Sequence, residues 1–403
     1  MMPLPPEPLA LAQAYWERLR GRFPGVVGLY LRNPLADFVP GISDLDLRLI
    51  AKPSPGGGWE ALAEAVLQVH LELAEPALWR LLEHPPGACV TPGEALDGRL
   101  FHPEMRQWQP VLGTPAVLSA LDNHIGEVPW SPVEDRYWRA RLGSCTQPWG
   151  PLEDRINLPP RQEARYLLHG VVMLRTLPAL QAAYCVRCRR PVAGKLAALN
   201  AWHELRPQDP VLAELRGLIE SDLDVRPYSS QEAVEALQGR CRRLVDELAS
   251  TALVSTPPAG PEPGADQALL DLHNAVRFSR LRPAHYRWFA LAPAGFQNGF
   301  FLVNEVITLR RSIVEPAALA LAALAGGPTE AVTDAGAVLL GACRTDTERH
   351  AVGEVVRVAL SDPGALEARR LLLDVLEWYS RFHEVLERAL ASALEGYTVG
   401  RGA

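Results

Sequence analysis

Val26-Val27-Gly28-Leu29-Tyr30-Leu31-Arg32-Asn33-Pro34 and, after a loop, Gly41-Ile42-Ser43-Asp44-Leu45-Asp46-Leu47-Arg48-Leu49-Ile50 decide the reading of this chain. Residues 26–31 form a short apolar run bounded by the turn Phe23-Pro24-Gly25, the pattern of a buried strand. Residues 33–41 hold two prolines and a glycine and must be loop. Residues 44–51 alternate strictly and predict a second strand. Side chains alternate faces along a strand, so Asp44 and Asp46 share one face and Leu45, Leu47 and Leu49 the other. Two carboxylates side by side repel each other unless a cation lies between them. Hard ions such as Mg2+ are commonly held by one or two carboxylates together with substrate phosphates. An Asp-x-Asp spacing is also common on solvent-facing edge strands, and that is the plain alternative.

Outward from this core, residues 9–22 predict an amphipathic helix, and residues 59–74 a second with Leu62, Ala65, Val66, Val69 and Leu73 on one face. Residues 88–91 read as a further strand. The run Lys52-Pro53-Ser54-Pro55-Gly56-Gly57-Gly58 lacks the Lys-Ser/Thr of a phosphate loop and reads as a turn. Beyond residue 125 the pattern is helical: residues 161–184, 192–205, 210–222 and 230–252 succeed one another through short turns, as in a helical bundle. Ser255 to Asp266 is rich in Pro and Gly without apolar periodicity and reads as a linker. The remainder returns to helix and ends in a long amphipathic segment over residues 365–394.

The expected fold class is therefore α+β. A mixed sheet with helices at the N-terminus (residues 1–125) precedes a helical bundle domain (126–253), a Pro/Gly-rich linker (254–266) and a C-terminal all-helical domain (267–403).

Composition narrows the function classes. The chain is 48% hydrophobic and 22% charged, ordinary for a globular protein, with a formal net charge of −7. That balance argues against a nucleic-acid polymer as main partner, since such proteins usually carry a basic field. No signal peptide is legible at the start, and no apolar run reaches the roughly 20 residues of a membrane span; a cytoplasmic protein that does not engage membranes is expected. The six cysteines are scattered as in a reduced protein, and Cys185-Val-Arg-Cys188 has no second pair to complete a zinc site. The ten histidines form no metal-binding motif and read as surface or structural residues. No Gly-x-Ser-x-Gly elbow supports serine hydrolase chemistry.

The strand, loop and Ser43-Asp44-Leu45-Asp46-Leu47 together resemble the nucleotidyltransferase superfamily related to DNA polymerase beta, whose motif is a strand, a Gly-Ser turn, a loop and Asp-x-Asp on the next strand. The following helices are similar to the helical domain of aminoglycoside adenylyltransferases: Gly194-Lys195-Leu196-Ala197-Ala198 and Trp202-His203-Glu204-Leu205 resemble its Gly-Lys…Ala…Trp…Leu-Pro pattern. The resemblance covers residues 9–250, with specific motif support at 27–50. It implies Mg2+-dependent transfer of a nucleoside monophosphate from an NTP, ATP or GTP, to a hydroxyl of a small-molecule acceptor. Asp44 and Asp46 would bind the metal, and Ser43 and Lys195 would contact the nucleotide.

The chain departs from the pattern twice. Asn33-Pro34 stands where the family has Gly-Ser, and proline has no N–H to offer a triphosphate; Asn33, Arg32 or the 36–42 loop would have to substitute. The third carboxylate has no motif match, and Glu83, Glu94 and Asp97 are its candidates near the 88–91 strand, Glu83 first among them. These departures keep a second hypothesis open: a catalytically degenerate scaffold with a ligand-sensing or interaction role. A third, an all-helical interaction protein, requires that no mixed sheet exist in the first 120 residues. Arg277 to Phe301 mixes arginines with aromatics, which suits either nucleotide stacking or interior packing.

Overall fold

A computed structural model describes residues 6–40, 43–53, 58–73, 81–147, 164–221, 223, 226–228, 230–256, 258, 264–291, 298–327 and 334–400. The fold is α+β. Four strands, β1 (Val26–Leu31), β2 (Leu47–Ala51), β3 (Ala88–Val90) and β4 (Gln109–Gly113), form a mixed sheet in the order β3-β2-β1-β4. β1 lies antiparallel to both β2 and β4, while β3 runs parallel to β2. This sheet rules out the all-helical alternative.

β1 has the expected limits because an apolar run is closed at one end by the Pro24-Gly25 turn. β2 is shorter than its alternation predicts. It begins at Leu47, so Asp44 and Asp46 precede the strand instead of lying on it. The reason is pairing: Leu45 N–H donates to the Leu81 carbonyl at 2.8 Å, and only the Asp46 carbonyl still takes a bond from the β1 side, from Arg32 N–H at 2.8 Å. The extended backbone continues through this segment and keeps the face separation. Leu45 is buried, and both aspartates turn to the other side.

The register pairs Tyr30 with Arg48 and Leu31 with Leu47. Leu29, Leu31, Leu47, Leu49 and Cys89 therefore point into one core, against helices Pro6–Arg22 and Gly58–Leu73. Tyr30, Ile50 and Val90 point into a smaller core with Ala95, Phe101, Met105, Trp108 and Leu121. The first of these cores continues without interruption into the C-terminal helices, where it takes in Leu269, Leu272, Trp288, Leu309, Val352 and Phe382. A separate core gathers the intervening helices around Trp138, Leu180, Trp202, Leu215 and Leu248.

Several helices differ in detail from their sequence limits. The final segment is two helices, Ala365–Asp374 and Leu376–Gly400, because the first closes at Val375, whose N–H bonds to the Leu371 and Leu373 carbonyls. The helix expected from residue 192 starts at Lys195, after Gly194 at φ +97°. Residues 170–176 and 309–314 are π-helical turns. Each is followed by a helix with proline in its first turn, Pro178 and Pro316. A proline removes one N–H and crowds the carbonyl four residues back, and a widened turn accommodates both. Helix Gln231–Ser255 and helix Gly264–Ser279 run into the two ends of the segment read as a linker, of which residues 257 and 259–263 lie outside the described residues, as do residues 54–57 of the Gly-rich turn. No helix among the described residues is long and apolar enough to cross a membrane.

Candidate functional site

One end of the sheet opens into a cavity of about 360 Å³. Arg32, Asn33, Ser43, Asp44, Asp46, Glu83 and Lys195 all line it. These are the seven residues singled out from sequence, drawn from three separate stretches of chain.

Asp44 and Asp46 meet His84 there, and among the described residues this is the group whose donor atoms converge to within 4.8 Å of one another. His84 Nε2 lies 3.4 Å from Asp44 Oδ2 and 3.4 Å from Asp46 Oδ1. On the other side of its ring, Nδ1 is 2.7 Å from the Pro85 carbonyl. A carbonyl only accepts, so Nδ1 carries a hydrogen and Nε2 is the atom turned to the carboxylates. The ring also stacks on His285, with centroids 5.6 Å apart.

Asp46 is the more heavily compensated carboxylate. Asn33 Nδ2 donates to it at 3.3 Å, and the guanidinium groups of Arg32 and Arg48 approach to 3.7 and 3.9 Å. Burial by itself would raise its pKa, but His84 and the two arginines outweigh that and hold it well below the usual carboxylate range. The same carboxylates hold His84 well above the ordinary imidazole value, against the burial that would lower it. Both arginines are fixed from behind by buried Glu104, which accepts from Arg48 Nε at 3.1 Å and lies 3.2 Å from Arg32 Nε. Arg48 also explains Gly87: a Cβ there would sit 2.7 Å from Arg48 Nη1.

Glu83 brings a third carboxylate to the cavity. Burial, and then the nearby charge of Asp44, push its pKa up to about 8. The other two acids considered from sequence do different work. Glu94 closes a capping box at the start of helix Pro92–Leu96 and pairs with Arg280, and Asp97 pairs with exposed Arg99.

Ser43 ties its loop together, since its Oγ accepts from Val39 N–H at 3.0 Å. Three backbone donors of the turn after β1 are taken up by the protein: Leu35 N–H on Gln109 Oε1 of β4, Asp37 N–H on the Pro34 carbonyl and Phe38 N–H on the Leu35 carbonyl. Lys195 reaches the cavity from the first turn of helix Lys195–Leu205, and its pKa is lowered by burial despite the opposing charge of Asp37.

The opposite wall comes from the C-terminal helices, much of it from the 277–301 stretch whose arginines and aromatics suited either nucleotide stacking or packing. Arg282, His285, Asn304 and Glu305 line it with Phe278, Phe289 and Phe301. Arg282 pairs with buried Glu305 at 3.0 Å and donates to the Gly87 carbonyl at 2.9 Å, so it serves packing and cavity at once. His84 and Arg48 were missed from sequence. For Arg48 a signal existed, because it follows Asp46 by two residues and shares its face. His84 had none beyond its place beside Glu83. The two cysteines of the Cys-x-x-Cys spacing lie in helix Leu177–Cys188, Cys185 buried and Cys188 exposed, and neither approaches this site.

Compared with models of known protein families, with curated proteins and with solved structures, the chain gives no significant match.

Proposed function

We propose that the protein is a divalent-metal-dependent nucleotidyltransferase, which moves a nucleoside monophosphate from ATP or GTP to a hydroxyl of a small-molecule acceptor. The observation that carries this reading is the meeting of Asp44, Asp46 and Glu83 in one cavity that also receives Arg32 and Lys195. The donor set of two carboxylates and one imidazole fits a dication. The resemblance of 27–50 to the polymerase-beta-like superfamily implies Mg2+. An ion held there supplies charge neutralisation for a triphosphate and for the oxygens that exchange at phosphorus.

The chain's own groups have distinct parts in this reaction. Arg32 and Lys195 offer positive charge to the phosphates. The acceptor oxygen attacks the α-phosphorus, the bond from that phosphorus to the bridging oxygen breaks, and pyrophosphate leaves. The hydroxyl proton passes to Glu83, the third carboxylate that lines the cavity. The wall of Phe278, Phe289 and Phe301 gives the acceptor an apolar surface.

Titration calorimetry with ATP and GTP, without metal and with Mg2+ or Co2+, tests the reading, with Asp44→Asn and Asp46→Asn as controls. Metal-dependent binding lost in both variants is expected. Its absence in the unmutated protein overturns the proposal.

A second reading has its own support. Pro34 lacks an N–H, the Leu35, Asp37 and Phe38 N–H groups are bonded to Gln109 and to the turn itself, and Arg32 and Asn33 are engaged with Asp46. A scaffold that binds a ligand without transferring a nucleotide fits those facts. Nucleotide binding with no pyrophosphate release, across a panel of hydroxylated acceptors, would favour it.

A further inference from the structure

We propose that His84 is the third ligand of the Asp44–Asp46 pair, making a mixed nitrogen–oxygen site that takes a first-row transition dication in preference to Mg2+. The inference refines the metal of the proposed function and rests on that reading for the ion's role, though not for its ligands.

The argument starts from the imidazole. Its Nδ1 hydrogen is committed to the Pro85 carbonyl at 2.7 Å, which leaves Nε2 facing two carboxylate oxygens. A carboxylate accepts and does not donate, and so does a bare Nε2. Three acceptors pointed at one space repel unless something positive joins them. That is either a proton on Nε2 or a metal ion.

The distances favour an ion. Both N···O separations are 3.4 Å. They exceed the ~2.7–3.2 Å of a sound N–H···O bond. They match the edge of about 3.3 Å between two donors that each lie about 2.05 Å from a tetrahedral ion. A backbone carbonyl on the far ring nitrogen is also the usual outer support of a metal-bound histidine, because it fixes the tautomer and the ring plane. The stacking of His285 restrains the same plane.

The donor set then decides the class of ion. Mg2+ takes oxygen ligands almost without exception and keeps several waters. Imidazole nitrogen suits zinc, iron, cobalt and nickel, and affinity for such sites rises along the first row.

The test is calorimetry of the full chain with Co2+ and with Mg2+, on the unmutated protein and on His84→Gln. One Co2+ is expected, bound more than about tenfold tighter than Mg2+. His84→Gln should lose more than about tenfold in Co2+ affinity while its Mg2+ affinity stays level, the size of effect expected for a lost ligand. Visible absorption of bound Co2+ reports its ligands, and electron–nuclear spectroscopy of the loaded unmutated protein detects an imidazole nitrogen directly, so the answer does not depend on the variant folding.

Equal Co2+ affinity in both proteins, no nitrogen coupling, or a preference for Mg2+ overturns the inference. Binding of neither ion overturns it together with the metal-dependent reading, and a proton on His84 is then the pair's standing cation. Nitrogen-coordinated Co2+ in a protein that binds neither ATP nor GTP upholds the inference and overturns the proposed function alone.

Discussion

Asp37, in the turn after β1, caps a helix that starts 158 residues later: its Oδ2 accepts from Lys195 N–H at 2.8 Å and its Oδ1 from Leu196 N–H at 2.9 Å. The carboxylate thus satisfies two of the donors that a helix N-terminus leaves unpaired and sets negative charge at the positive end of the helix dipole. It also fixes where Lys195 enters the cavity. Asp37→Ala should cost about 1–2 kcal/mol, the usual scale of a lost cap, read as a lower urea midpoint. Gly194→Ala should act at the same joint. Its φ of +97° disfavours any Cβ, and that Cβ would stand 3.1 Å from Asp37 Oδ2. If Asp37→Ala leaves the midpoint unchanged, the cap does not join the helix to the sheet.

A second joint is charged. Buried Arg280 bridges Glu94 and Glu387, its nitrogens 2.6 Å from both oxygens of Glu94 and its Nε 2.7 Å from Glu387. Its guanidinium also lies 4.1 Å from the Trp59 ring centre. Burial would raise both glutamates. Arg280 outweighs it at Glu94 and holds that carboxyl well below its usual range, and His383 with Arg280 holds Glu387 at about 2. Folded values below the unfolded value of about 4.3 mean that these groups stabilise the fold above that pH and lose the contribution as pH falls towards 2. Thermal midpoints should therefore drop steeply below about pH 4.5. Glu94→Gln should cost about 3–5 kcal/mol near neutrality, the penalty for breaking a buried pair, and should flatten the acid limb. An unchanged acid limb in Glu94→Gln would show that the bridge does not govern acid unfolding.

The same contacts bear on what the sequence could reveal. β1 was legible because its apolar run and its turn are adjacent in sequence, and Asp44 and Asp46 were legible because alternation fixes which face each residue takes. The start of β2 was not, because it depends on Leu45 N–H turning to Leu81 and not to a strand partner. The break at Val375 left no mark in the apolar periodicity. His84, and the placing of Arg282, His285 and Glu305 across the cavity from Asp44 and Asp46, were hidden for a different reason. Their role comes from contacts such as Arg282 with the Gly87 carbonyl, 195 residues apart, and no local spacing encodes those.

The C-terminal helices share the core of the sheet, and that yields a prediction about the chain as a whole. Trp288 Nε1 donates to the Glu83 carbonyl at 3.0 Å, and His285 Nε2 to the Pro86 carbonyl at 3.2 Å. Leu269, Leu272 and Phe289 complete the apolar face that β1 and β2 present. A fragment of residues 1–253 would expose that face, and the loss should exceed the roughly 5–15 kcal/mol that stabilises a typical domain. Such a fragment should bind a hydrophobic dye and show poor amide dispersion. Cooperative unfolding of the fragment would mean that the first 253 residues hold a sufficient core of their own.

The two aspartates of the site should differ in what they contribute to stability. Among the described residues Asp46 faces Arg32, Arg48, Asn33 and His84, whereas the Asp44 carboxylate faces His84. Both side chains are partly exposed, so solvent screens each interaction. Asp46→Asn nevertheless removes one of the two carboxylates, Asp46 and Glu104, that face Arg32 and buried Arg48, and should cost about 1–3 kcal/mol. Asp44→Asn removes one screened contact and should cost less than about 1 kcal/mol. The Asp46 contribution has a fixed pH sense. Its folded pKa lies below the unfolded value of about 3.9, so the stabilisation is present above that pH and fades as pH falls. Denaturant midpoints at pH 7 should therefore separate Asp46→Asn from both the unmutated protein and Asp44→Asn, and the separation should narrow progressively as pH falls below about 3.9. Equal losses in the two variants at pH 7 would mean that the arginines are held by Glu104 alone, and that Asp46 stands in the cavity as free for a ligand as Asp44.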